Sequence, residues 1–315
     1  MKKTILLVAD MRGWIFDRHC QEIQKRISEY KIDITYLNDG NIETLYSDYD
    51  LIYLLDPFQL NFSEHKKVIM GLRGDWLFLN YPGGARQYYK SCIKKRCCIL
   101  HVVNQRQYQI FKPLVGENPL MMVRHGVDEL MFNKDEYLHA AHNGFIVGWA
   151  GKTDSNGDKG LDLIQEACAR LGVVCLTAKY NNSGQLHKNQ MPHFYSQIDV
   201  LCCMSRSEGC WNPLLEAGAM GIPVISTRVG AAEEIIQCGV NGLLVDRNVD
   251  SLVEALDTLT NNPEQCRVMG KHLRETILSS WTWDQRIQDY REMFDYYFSN
   301  IATAQTTWLH RIFGI

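Results

Sequence analysis

The sequence predicts an α/β protein made of two successive Rossmann-like units, each a doubly wound parallel sheet, and three observations predict it. Short apolar runs alternate with stretches of helical period, and a strand, helix, strand succession implies parallel pairing through crossover helices. The alternation stops at a polar interval, 133–143, and then begins again. Finally, 315 residues at 46% hydrophobic and 22% charged composition supply enough chain for two cores.

Taken in order, strands are expected at 4–9, 32–36, 51–55, 76–80, 98–103 and 120–123, each an apolar run short enough for a buried parallel strand. Between the first two, 16–29 reads as a helix, with Ile23 and Ile27 one turn apart. After the polar interval, strands are expected at 144–149, 173–177, 200–204 and 223–226, and helices at 161–171, 251–259, 265–278 and 282–298. This divides the chain into 1–137, 138–285 and a closing helix and tail, 286–315. Two open α/β sheets in succession favour a ligand crevice between domains.

Composition removes several function classes. A formal charge of −3 gives no basis for a dedicated nucleic-acid surface, which needs clustered cations for its phosphate contacts. The charge is uneven: residues 1–137 carry 19 Lys+Arg against 17 Asp+Glu, and the remainder 14 against 19. That asymmetry is too small to select a partner. The opening run, MKKTILLVADMRGW, is interrupted by Asp10 and Arg12, so it reads as a buried strand rather than a signal segment. No stretch approaches eighteen uninterrupted apolar residues. Eleven cysteines without zinc spacing read as small buried hydrophobes in a reducing compartment. A cytoplasmic protein is expected, with peripheral contact at the inner face of the membrane open through the tail TTWLHRIFGI, where Trp308, Leu309, Ile312 and Phe313 fall at helical spacing. Docking of that tail onto the protein itself is the plainer expectation.

The segment richest in chemistry is SRSEGCWNPLLEAGAMGIPVISTRVGAAEEII, 205–236. Pro213 marks a helix start, from which Leu214, Leu215 and Ala219 form an amphipathic face. The turn Gly209, Cys210, Trp211, Asn212 then offers backbone N–H groups at a helix N-terminus, a cradle for a diphosphate that Pro213 and Leu214 continue. Glu208 lies ahead of that turn and Glu216, separated from Glu208 by seven residues, within the helix's first turn, where a carboxylate can accept hydrogen bonds from both ribose hydroxyls. GWAGKT at 148–153 lacks the glycine spacing of a Walker loop, and neither leading strand is followed by GxGxxG, which argues against a dinucleotide-dependent oxidoreductase.

These residues resemble the retaining glycosyltransferases of the GT-B fold, in the large family with two glutamates separated by seven residues (glycosyltransferase family 4, the glycosyl transferases group 1). LLEAGAMGIPVIST, Gly230, Glu233 and Glu234, NGLLV at 241–245, MPHFYSQIDVLCCMS at 191–205, RHGVD at 124–128 and GWAGKTDSNGDKGLDLI at 148–164 carry the resemblance over roughly 120–290. It implies two Rossmann-like domains facing across a cleft, the first taking the acceptor and the second a UDP- or GDP-sugar. By position it places Lys152, where the family usually has arginine, and Lys159 on the diphosphate, Glu216 on the ribose and Glu208 on the sugar. Lysine lacks the bidentate fork of arginine, so the Lys152 contact is weakened. No metal or cofactor is implied, the nucleotide sugar being a substrate, and the setting implied is polysaccharide or glycoconjugate biosynthesis.

The first half is less telling. GWIFD resembles the opening of transferases from polysaccharide clusters, making Gly13 and Trp14 donor or acceptor contacts; a tight turn after a strand would require the glycine in any case. Gly83 and Gly84, in PGGA after the strand expected at 76–80, are similarly ambiguous. The histidine that many family members place after the fourth or fifth strand is missing: His101 reads as a core residue, and His125 is the alternative contact. In the front-face mechanism implied by the family, the departing phosphate takes the acceptor's proton, so no protein base is required. A nucleotide-sugar epimerase or phosphorylase on the same architecture, or an inactive donor-binding module, remain the rival readings.

Overall fold

The computed structural model describes residues 2–58, 60, 62, 66–137, 143–152, 156–180 and 188–302. It divides into two compact units, Met1–His125 with Arg286–Ile315, and Gly126–Gln285. The boundary falls earlier in the chain than the polar interval suggests. Residues 306–315, whose helical spacing raised a membrane contact, lie outside the described residues.

In the first unit, β1 (Thr4–Ala9), α1 (Ile15–Arg26), β2 (Lys31–Tyr36), β3 (Leu51–Leu54) and β4 (Val68–Leu72) lead into α2 (Trp76–Leu79) and α3 (Gly84–Tyr88). β5 (Ile99–Val102), α4 (Gln105–Val115) and β6 (Leu120–Met122) complete it. The six strands are parallel in the order β2-β1-β3-β4-β5-β6, with Leu7 between Ile34 and Tyr53. β3, β4 and β5 are buried along their whole length, as a sheet covered on both faces requires. Helix α4 starts where the Asn104 side chain accepts the Gln107 N–H at 2.7 Å, a side-chain cap.

One expected element is of the wrong kind. The run 76–80 is the helix α2, and the strand of that region is β4, VIMGL, which the sequence reading passed over. Four apolar residues satisfy either period; in the structure Phe78 is buried whereas Trp76 and Leu79 are exposed, so the run covers the core with one side only. As a consequence, Gly83 and Gly84 follow a helix and open α3 rather than ending a strand.

The second unit repeats the architecture with β7 (Ile146–Lys152), α5 (Leu161–Leu171), β8 (Val174–Tyr180), α6 (Met191–Tyr195), β9 (Val200–Cys203) and α7 (Asn212–Ala219). There follow β10 (Val224–Thr227), α8 (Ala232–Ile235), β11 (Gly242–Val245), α9 (Val249–Thr260) and α10 (Pro263–Ser280). The parallel order β11-β10-β9-β7-β8 reverses direction between β7 and β9, and the carboxyl ends beside such a reversal are where open α/β sheets place ligands. Val147, Trp149, Ile164, Cys202, Ile225, Leu252 and Leu256 are among the residues of its core. Last, α11 (Trp283–Tyr296) begins in this unit and belongs to the first from Arg286 onward. Trp281 and Trp283, flanking its start, are buried, which fits a packing role. Among the described residues no helix is long and apolar enough to cross a membrane.

Candidate functional site

At the reversal point of the second sheet, the segments following β7 and β9 come together. β9 ends at Cys203, and two residues on the Ser205 backbone is pinned by the Thr227 hydroxyl, which donates to its carbonyl at 2.7 Å. The Ser205 hydroxyl donates to Glu208 Oε1 at 2.8 Å, and Lys159 Nζ reaches the same oxygen at 2.6 Å. The lysine side chain is 35% exposed and the glutamate 12%, so solvent screens the pair and its strength is modest. Burial and the nearby Glu208 charge push the Cys203 thiol up to about 11, keeping it neutral beneath the site.

Two glycines allow this closeness. Gly160 has φ +65°, and a Cβ there would lie 2.2 Å from the Met204 carbonyl oxygen. Gly230, at φ +52°, backs onto the other side, where a Cβ would lie 2.0 Å from the Gly209 carbonyl oxygen. Any side chain at either position forces the segments apart.

Helix α7 begins directly after this loop. Trp211 is extended, Asn212 is the first helical residue, and Pro213 follows at a position where its missing N–H costs nothing. The Gly209 carbonyl accepts from Ala231 N–H at 2.8 Å, which anchors the turn, and Gly209, Cys210, Pro213 and Leu214 are buried. Because the helix opens at Asn212, Glu216 stands in its second turn, not the first as the sequence suggested. It is 8% exposed, and Tyr195 at the end of α6 donates its hydroxyl to Glu216 Oε2 at 2.7 Å. Tyr195 and Ser205 are the polar partners that sequence reasoning missed; both lie in quoted segments, but nothing local marks which glutamate each would meet. Lys152 is exposed at the carboxyl end of β7.

The first-unit candidates are arranged differently. Gly13 precedes α1, and its N–H donates to Asp17 Oδ2 at 2.7 Å, while Tyr36 and Gln21 bond Asp17 Oδ1 at 2.6 and 3.1 Å. That turn is thus closed on a carboxylate of its own helix; Trp14 beside it is half-buried. His125 is 2% exposed and stacks on His19 with ring centroids 4.3 Å apart. Burial, helped by the Arg73 charge, lowers His125 to about 3, so its imidazole is neutral. Arg73 is itself buried: it donates to the hydroxyls of Tyr53 at 2.7 Å and Tyr290 at 3.0 Å, to the Leu55 carbonyl at 3.3 Å, and meets His19 Nδ1 at 3.4 Å. The Tyr53 oxygen lies 2.6 Å from His101 Nε2, and burial holds that imidazole neutral too. Gly83 and Gly84 lie apart from these groups in sequence, at the start of α3. Among the described residues there is no grouping of three or more His, Cys, Asp or Glu fit to hold a metal.

Against known families, residues 174–276 match the model described as glycosyl transferases group 1. An uncharacterized glycosyltransferase of Methanocaldococcus jannaschii is 24% identical over 294 residues, covering 85% of this chain and 80% of that one. The GDP-mannose-dependent alpha-(1-6)-phosphatidylinositol monomannoside mannosyltransferase of Mycobacterium tuberculosis is 33% identical over 110 residues, which is 32% of this chain and only 29% of the relative. Among solved structures, sucrose-phosphate synthase from Thermosynechococcus elongatus superposes with a TM-score of 0.73 at 15% identity, over 95% of this chain and 100% of that one. Anabaena HepE, solved with UDP-glucose, gives 0.70 at 13% identity, over 93% and 99%. The chain has the GT-B fold, and residues 174–276 of its second unit match the glycosyl transferases group 1 family.

Proposed function

We propose that the protein is a retaining glycosyltransferase that moves a sugar from a UDP- or GDP-sugar to an acceptor hydroxyl, without a metal, in polysaccharide or glycoconjugate assembly. The observation that carries the reading is the meeting of Lys159 and Glu208 at the reversal point of the second sheet, directly ahead of the α7 N-terminus, with Glu216 fixed by Tyr195 in the next turn. Lys159, Lys152 and the backbone of the 209–212 turn neutralise the diphosphate, a leaving group whose charge grows as the glycosidic bond breaks. Glu216 accepts from the ribose hydroxyls, and Glu208, released from Lys159 as the lysine turns to the diphosphate, faces the sugar. The bond from the anomeric carbon to the phosphate oxygen breaks and the bond to the acceptor oxygen forms on the same face. The acceptor's proton passes to the departing phosphate, so the neutral, enclosed His125 and His101 are not asked to move it. The complexes of HepE with UDP and UDP-glucose lend support to the donor class by likeness of fold.

The test is direct. A thermal-shift screen of the full chain against UDP- and GDP-sugars is expected to find one that raises the melting point, since a ligand of the folded state alone stabilises it. With that donor and a hydroxyl acceptor, NMR of the product is expected to show the donor's anomeric configuration kept. Inversion refutes retention, and a product formed equally without acceptor favours an epimerase or a hydrolytic remnant.

A further inference from the structure

Arg247 lies just beyond β11, at the edge of the second sheet and two strands from β9. It belongs to none of the motifs above, yet its side chain reaches across the carboxyl ends of the strands. Nε donates to the Met204 carbonyl at 2.8 Å and a terminal nitrogen donates to the Gly157 carbonyl at 2.6 Å. Met204 is the first residue after β9, on the way to Ser205 and Glu208. Gly157 opens the turn that Gly160 N–H closes at 3.1 Å and that holds Lys159. The same Met204 carbonyl is the atom that faces the missing Cβ of Gly160, so the arginine binds the seam at its narrowest point.

We infer that Arg247 is a positioning residue for the diphosphate lysine: one planar guanidinium, bridging a carbonyl on each segment, sets the distance between the Lys159 turn and the Glu208 loop. This rests on the reading of Lys159 as a diphosphate ligand. A guanidinium suits the task because its donors are fixed in one plane and can serve two acceptors together, whereas an ammonium is a single point on a flexible stem. The turn has other ties: Arg206 N–H donates to the Asp158 carbonyl at 2.8 Å, the Arg206 and Asp158 side chains approach to 3.3 Å, and Trp149 Nε1 donates to the Lys159 carbonyl at 3.4 Å. Loss of Arg247 therefore loosens the lysine without unfolding the unit, and its effect passes through Lys159.

The measurement is calorimetric titration of the full chain with UDP and with GDP, using Arg247→Ala, Arg247→Lys, Lys159→Ala and the double variants. Arg247→Ala is expected to weaken binding of the preferred nucleotide about tenfold while the melting point of the unliganded protein stays near that of the parent. Arg247→Lys recovers about a third of that loss on a logarithmic scale, an ammonium keeping the charge but lacking the wide, planar set of donors that spans both carbonyls. In the Lys159→Ala background either change at Arg247 is expected to alter affinity by less than about twofold, because a residue acting through another has nothing left to position. A loss of equal size in both backgrounds, or parental affinity in Arg247→Ala, overturns the inference while leaving the diphosphate role of Lys159 standing. If Lys159→Ala alone binds nucleotide as the parent does, that role falls and the inference falls with it. Should Arg247→Ala not fold, the Arg247→Lys pair of measurements decides in the same way.

Discussion

The carboxyl ends of the two sheets use charge in opposite ways. In the first unit one set of charged and polar groups is turned inward and bound to one another: Asp17 closes the Gly13 turn, and Arg73 binds two tyrosines, a carbonyl and His19. In the second unit Lys159 and Glu208 form a partly exposed pair. A buried network fixes shape and resists change, since each group removed strands its partners. A partly exposed ion pair contributes little to stability. The contrast teaches where in each unit to look for chemistry, and where to look for stability.

The sharpest way to break the comparison is to remove the residues of the second unit proposed to hold the donor. Lys159→Ala is expected to lower donor turnover by about 10²–10³-fold, the range for deleting one preorganised contact to a developing charge, with little change in the melting point; Glu216→Ala also strands the buried Tyr195 hydroxyl and is expected to lower kcat/KM together with about 1–3 kcal/mol of stability. Near-parental kcat/KM in both variants would place the chemistry elsewhere. Next in size, Arg73→Ala leaves the hydroxyls of Tyr53 and Tyr290 and the Leu55 carbonyl without their buried donor, at about 3 kcal/mol in denaturant stability. Nucleotide affinity, proposed for the other unit, is expected to hold in whatever fraction remains folded; a parallel loss of affinity would erase the distinction.

The third effect is smaller and depends on pH. His125 titrates near 3 in the fold and near 6.5 when unfolded, so the stability its neutral form confers is present above pH 6.5 and is lost as protons load the unfolded chain below it. From pH 7 to pH 5 that loss is about 2 kcal/mol. Asp56 works in the other direction, because burial pushes its carboxyl up to about 7 and the fold then takes up a proton that the unfolded chain does not. Total stability therefore conceals both. The readout is the difference between the parent and His125→Gln, expected to shrink by about 2 kcal/mol between pH 7 and pH 5; a constant difference would mean that the imidazole titrates in the fold as it does in the unfolded chain.

Most of the scaffold was legible in the sequence because parallel strands buried on both sides are uninterrupted apolar runs, and β1 and α5 lie where the reading put them. The 76–80 run misled because four residues are too few to separate a period of 2 from one of 3.6. Glu208 and Glu216 could be found through their spacing, yet the turn holding Glu216 was misjudged by starting the helix at Pro213 instead of Asn212. The contacts of Tyr195 and Arg247 were invisible for a different reason. Each joins segments brought together only by strand order, and a side chain carries no local mark of a partner 21, 43 or 90 residues away.

The route of the chain through α11 has a consequence for how the protein is made. The second unit is one uninterrupted stretch, 126–285, set inside the sequence of the first, and its two ends are clasped: Val127 N–H donates to the Trp281 carbonyl at 2.8 Å and Trp283 N–H to the Val127 carbonyl at 3.1 Å. A ribosome therefore finishes the guest before the host, whose six strands are synthesised early but must wait for Tyr290 and Tyr297, bonded to Arg73 and to the Asp50 carbonyl, to emerge. Nascent first-unit strands stand incomplete throughout that interval.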